Sequence, residues 1–130
     1  NIRKNDIENL KYFPEKVTGF VNCSYNKITS LKGMTNKIIG FFDCSNNQLK
    51  SLEFCPKIIN GSLDCRNNPD LKNIKRQVIK YQIRALNYYT DEGFFSFDEI
   101  KEEFESFITK EQIKKEKLKN HKNIDYGFSI

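Results

Sequence analysis

The chain has 130 residues, a formal charge of +5, and 38% apolar against 30% charged residues. That length fits one domain, which buries roughly two thirds of its unfolded surface and needs neither metal nor disulfide to fold. No apolar run approaches the about 20 residues of a membrane helix, and the mostly polar first ten residues are unlike a secretory signal. The chain begins at Asn1 rather than Met, so it reads as a processed or trimmed product, with loss of a leader one way to reach it. The charge alternates: 75–90 holds 4 Lys+Arg and no acid, 91–105 is acidic, and 110–122 is basic. A phosphate-gripping protein gathers its charge on one surface, so the basic balance alone points weakly to nucleic acid.

The first half repeats. Cys23, Cys44 and Cys65 are spaced 21 apart, as are Asn26, Asn47 and Asn68, and Gly19, Gly40 and Gly61. Val17, Ile38 and Ile59 keep the step, as do Val21, Phe42 and Leu63, and Phe13, Met34 and Cys55. Leu31 pairs with Leu52 in a further column. A period of this length signals a stacked-repeat architecture. Within each unit, Val21 and Cys23 alternate with Phe20, Asn22 and Ser24, which predicts a short strand over 19–24. Stacked copies then form a parallel sheet, with 21/42/63 and 23/44/65 pointing into the core. The Asn column turns the chain, its side chains bonding backbone groups of the turn and of the next unit. Losing one would strand buried polar groups at roughly 1–3 kcal/mol. Ile28, Leu31 and Met34 carry the chain back along the opposite side.

The unit G-x-[VFL]-x-C-x-x-N-x-[IL]-x-x-L resembles the leucine-rich repeat, in the short form of bacterial and phage proteins where Cys takes the inward position. The resemblance spans residues 10–74; the third copy carries one extra residue near Pro69. It implies an α/β solenoid of about three repeats over residues 1–74, with a helical C-terminal cap over 75–130. The composition has an A+T-rich bias, Lys outnumbering Arg 18 to 4. That fits a low-GC bacterium or its phage.

Four cysteines raise zinc and disulfides. Zinc ligands usually pair at short spacing, whereas the closest pair here is Cys55 and Cys65. Their in-phase positions mark them as buried free thiols, which suit a reducing, cytoplasmic compartment; a virion is the alternative.

Beyond the repeats, 74–86 predicts a helix with Ile74, Val78, Ile79, Ile83 and Leu86 inward. Arg76, Lys80 and Arg84 form a basic stripe outside, solvated or phosphate-binding. Residues 88–99 are similar to an EF-hand loop, with Gly93 sixth and Glu99 twelfth, but Tyr88 stands where the first carboxylate belongs. A turn at Asp91-Glu92-Gly93 followed by a capping box at Ser96–Glu99 accounts for the same residues. The following helix places Phe97, Ile100, Phe104, Phe107 and Ile108 on one face. A second capping-box pattern at Thr109–Gln112 predicts a new helix with Ile113 and Leu118 inward. Ile124, Tyr126, Phe128 and Ile130 alternate like a strand.

No catalytic set is present. The lone His121 lies in a Lys/Asn-rich stretch, and none of the common nucleophile, nucleotide or zinc motifs occurs. No cofactor or metal is expected. A ligase domain found in some bacterial leucine-rich-repeat proteins needs a catalytic Cys, and none follows Cys65.

The resemblance implies partner binding on the strand face. Its columns hold Phe20, Phe41, Asn22, Asp43, Asp64, Ser24, Ser45, Arg66 and Tyr25. Exposed rings and acids there suit a protein partner better than phosphate, unless Phe20 and Phe41 are covered by another part of the chain. The expectation is a non-enzymatic interaction module, an inhibitor or adaptor. The alternatives are nucleic-acid binding through 76–84 and 110–122, and a structural subunit of a particle.

Overall fold

The computed structural model describes residues 1–128, apart from positions 12, 15, 16 and 18, with side chains described as far as residue 120. It is an α/β structure with a mostly parallel sheet and a long C-terminal helix. The main sheet has five strands: β1 (Val21–Asn22), β3 (Phe42–Asp43), β5 (Ser62–Asp64), β6 (Asn87–Thr90) and β7 (Gly93–Ser96). They lie in that order, parallel from β1 to β6, with β7 antiparallel at the edge. Two further strands, β2 (Lys37–Ile38) and β4 (Ile58–Ile59), pair in parallel as a second sheet. The helices are α1 (Ile74–Lys80) and α2 (Phe97–Phe128).

The register follows the sequence period. Val21 pairs with Phe42 and Phe42 with Leu63, so each strand lies beside the one 21 residues on. Val21, Phe42 and Leu63 are buried, as are Cys23, Cys44 and Cys65 behind them, while Ile38 and Ile59 enter the core from the second sheet. The glycine column has a steric cause. A Cβ on Gly61 would sit 2.5 Å from the Gly40 carbonyl oxygen, and one on Gly40 would sit 2.9 Å from the Phe20 nitrogen. Gly40 also has φ 123, a region L side chains rarely adopt.

Each asparagine of the column is held the same way. Asn47 Nδ2 donates to Cys44 O and Ser45 O in its own turn and to Cys23 O in the unit before. Its Oδ1 accepts from Ile28 N, again in the preceding unit. Asn68 repeats this with Cys44 O and Leu49 N. The ladder therefore reaches back to the previous unit, not forward to the next as expected from sequence. Its direction follows from the strand, which lays each turn against the carbonyls already in place.

Two additional passes of backbone flank the three repeats. At the start, Ile2 N donates to Asn22 O, Lys4 N to Ser24 O, and Lys27 N to Ile7 O. Asn5 N and Ile7 N donate to Asn26 Oδ1. Ile2, Asn5, Ile7 and Leu10 precede Cys23, Asn26, Ile28 and Leu31 by the same 21 residues. At the other end β6 continues the parallel sheet, with Leu63 pairing with Tyr88, so the 74/75 boundary does not interrupt it.

In the C-terminal part three expectations are corrected, while the turn expected at Asp91-Glu92-Gly93 is present. The helix predicted over 74–86 ends at Lys80, because Gln82 takes φ 55 and turns the chain. Ile83 then enters the core while Arg84 N donates to Lys57 O, and Leu86 is left 64% exposed. The EF-hand-like stretch contains the β6–β7 hairpin, closed by Asp91-Glu92 with Gly93 at φ 119. No new helix starts at Thr109; its hydroxyl donates to Glu105 O inside an unbroken α2, and Ile113 and Leu118 are exposed. Residues 124–128 are helical rather than a strand, and Ile130 lies outside the described residues.

Helix α2 starts at Phe97, with Asp98 and Glu99 in its first turn as the capping pattern predicts. Ile100 and Phe104 are buried, Phe97 and Ile108 pack partly against the core, and Phe97 meets Phe104 edge-on at 5.1 Å. Among the described residues no helix is long and apolar enough to cross a membrane.

Candidate functional site

The outward side chains of the main sheet form the strongest candidate. Phe20 and Phe41 stack with ring centroids 5.1 Å apart and planes 8° from parallel, yet they are 55% and 40% exposed. Among the described residues nothing covers them. At the other end of the same face Tyr89 and Phe94 meet at 5.0 Å, both exposed. Sequence inspection missed this second pair because β6 and β7 lie outside the 21-residue period. In the structure Tyr89 points outward between buried Tyr88 and Thr90, an alternation the residue types alone do not show.

On the same face, at the C-terminal ends of β1, β3 and β5, lies a polar depression of about 520 Å3, lined by Arg3, Tyr25, Asp43, Asn46, Asp64, Arg66 and Asn67 with Ser24 and Ser45. Two of the expected contact residues do not present their side chains. Ser24 and Ser45 are buried, and their hydroxyls donate at 2.6 Å to Asn22 Oδ1 and Asp43 Oδ1. Their backbone N–H groups donate to the same oxygens, so the 22/43 column closes the strand end. In the third unit Arg66 replaces the serine. Its Nε and Nη2 grip both Asp64 oxygens at 3.0 and 2.7 Å, and its guanidinium lies 5.4 Å from the Tyr89 ring centre. The Asp64 hydrogen bonds raise the Arg66 pKa further and keep its charge fixed. Phe20, Asn22, Tyr25, Phe41, Asp43, Asp64 and Arg66 are thus brought onto one face.

Tyr25 stands apart from its column. Tyr25, Asn46 and Asn67 all have positive φ, at 57, 55 and 57. Asn visits this region readily, but a bulky Tyr does so at a cost. The ring remains 48% exposed, with the Arg3 guanidinium 4.8 Å and the Lys4 ammonium 5.4 Å from its centre. Strain of this kind concentrates at functional positions.

The four cysteines are free and buried. The thiols of Cys23 and Cys44 donate to Asp43 O and Asp64 O, and that of Cys65 to Tyr89 O. Burial pushes Cys23 and Cys65 up to about 12, and raises Cys44 and Cys55 well above the usual thiol range. Neutral thiols of this kind are poor nucleophiles. Among the described residues no cluster of His, Cys, Asp or Glu is arranged to hold a metal ion. The acids of the EF-hand-like stretch have other duties. Both Asp91 oxygens accept from Asn67 N, and Glu92 accepts from Asn73 N and Ile74 N at the start of α1. The side chain of His121 lies outside the described residues.

The basic stripe expected on one helix is divided. Arg76 and Lys80 lie exposed on α1, but Arg84 follows the turn at Gln82. Its guanidinium sits 5.3 and 5.1 Å from the ring centres of Phe97 and Phe104. Compared with known protein families, curated proteins and solved structures, the chain matches none.

Proposed function

We propose that the chain is a short leucine-rich-repeat solenoid that serves as a non-enzymatic protein-binding module, using the outward face of the parallel sheet. The backward asparagine ladder and the strict 21-residue register support the solenoid reading. The observation that carries the binding reading is the pair of exposed aromatic contacts, Phe20–Phe41 and Tyr89–Phe94, sharing one face with a polar depression. Rings of this kind supply large contact area, and a surrounding polar region sets register. The strained Tyr25 adds a fifth ring, lining that depression. Free thiols throughout the core suit a reducing compartment. A small module of this type fits an inhibitor or adaptor, acting in a bacterial or phage-infected cell.

The test is affinity capture with the native host's proteins, repeated with Phe41→Ala, Asp43→Lys and Tyr89→Ala. For a partner captured by the unaltered chain, Phe41→Ala is expected to cost about 2 kcal/mol, roughly 30-fold in affinity. Asp43→Lys should change both affinity and salt dependence. Unchanged capture by all three variants refutes the strand-face assignment.

A further inference from the structure

A second concave surface lies between α1 and α2, an open cleft of about 1430 Å3. The α1 side carries Lys72, Lys75, Arg76 and Lys80, and the facing stretch of α2 carries Lys110 and Lys115. Among the described residues none of these six cations is ion-paired with a carboxylate. Three acids also line the cleft. Glu92 is committed to the backbone N–H groups of Asn73 and Ile74, and Glu111 lies 3.4 Å from Lys114. Glu103 is the remaining one. Six cations against three acids leave a formal +3 in the cleft, whereas in the strand-face depression Asp43 and Asp64 are balanced by Arg3 and Arg66. Charge that alternates along the chain is thus gathered by folding, because the turn at Gln82 and the β6–β7 hairpin bring α2 back over α1.

We propose that this cleft binds the sugar–phosphate backbone of a single-stranded nucleic acid. Five of the six cations are lysines, point charges that suit a succession of phosphates and lack the planar fork with which arginine grips a carboxylate. The half-buried Phe107 ring and Ile79 lie among the cations, offering an apolar surface against which a base can stack. A basic groove with an aromatic platform is the usual design for single strands. Lys117, two turns beyond Lys110 on the same face, continues the positive track along the exposed part of α2. Arg84, held against Phe97 and Phe104, is not part of this surface. The proposal is independent of the strand face and survives if that assignment fails.

The test is fluorescence anisotropy with a labelled oligothymidine of about 15 nucleotides, titrated with the full chain at several salt concentrations. Neutralising four to six phosphates gives a log–log salt slope of about −3 to −4, a loss of roughly 100-fold between about 50 and 200 mM salt. The double variants R76E/K80E and K110E/K115E should each weaken binding at least about tenfold and make the slope shallower by about 1.4. Lys37→Glu, exposed on β2 and outside the cleft, should not weaken it. Thermal melts by circular dichroism confirm that the variants, all at exposed positions, remain folded. The proposal is overturned by no binding at low salt, by a flat salt response, or by full binding in both double variants. Polyglutamate that competes as well as the oligonucleotide would assign the cleft to acidic polypeptides instead. Tighter binding of a duplex than of the single strand would likewise overturn it.

Discussion

Between β1 and β5 each turn is closed by an asparagine that reaches back to the unit before. At β6 the same parallel pairing is reached with different groups. There the Tyr88 hydroxyl donates to Ile83 O at 2.6 Å and accepts from Ala85 N, while Asp91 and Glu92 accept the backbone N–H groups of Asn67, Asn73 and Ile74. Thr90 stands in the buried cysteine column, its hydroxyl donating to Gly93 O. The two regions show that the requirement lies with the backbone. Buried N–H and C=O groups must be paired, and any side chain with the right reach can do it. The regular units use a short amide because their step is constant. The last pass carries α1, which stretches the step from 21 to 25 residues (Leu63 to Tyr88), so longer side chains are needed.

Alkaline pH tests both regions together and has the largest expected effect. Burial raises Cys23 and Cys65 from 9.0 to about 12 and Tyr88 from 10.0 to about 12. Below pH 9 these groups are neutral in folded and unfolded chains alike, and stability is full. Above it the unfolded chain releases protons that the folded core retains, so stability falls as pH climbs towards 12. Denaturant melts across that range should show a steep loss; a flat response would mean that the thiols are solvated.

Asn47→Ala tests the regular units alone. It leaves Ile28 N without its acceptor in the core, while Cys23 O keeps the Asn26 amide, and a loss of about 2 kcal/mol in urea unfolding is expected. Tyr88→Phe tests the last pass, removing one hydroxyl that serves two backbone groups, for about 2 kcal/mol. A loss of only a few tenths of a kcal/mol would show that the last pass is held by packing rather than by these bonds. The smallest effect has the opposite sign. Tyr25→Asn gives the first unit the residue type of Asn46 and Asn67, and should stabilise the fold by about 1 kcal/mol while weakening partner binding.

How much could be read from the chain follows from the same chemistry. Gly, Cys and Asn were legible as columns because each meets a demand that few residue types satisfy: close backbone approach, a narrow core space, and a short amide. The first pass was present in the sequence as Ile2, Asn5, Ile7 and Leu10, but carries Ile2 where its sisters have Cys. The last pass was hidden because Tyr88 and Thr90 replace the marker residues and α1 shifts the phase. The helix over 74–86 was overextended because Ile83 and Leu86 fit the helical period, while the left-handed turn at Gln82 has no glycine to announce it. On the strand face the aromatic and acidic columns were legible. The withdrawal of Ser24 and Ser45 was not, since it depends on hydrogen bonds from side chain to side chain two residues apart.

The backward reach of the asparagines gives the molecule a direction in time as well as in space. A newly made unit closes its own turn but leaves one backbone N–H unpaired until the following unit arrives with its amide oxygen, as Asn47 does for Ile28 N. On a ribosome, which delivers the chain from its N-terminus, the growing tip is therefore the unfinished layer, and each added unit seals the last. The hairpin at Asp91 and Glu92 ends that sequence, since its carboxylates close the final turns without asking for another unit.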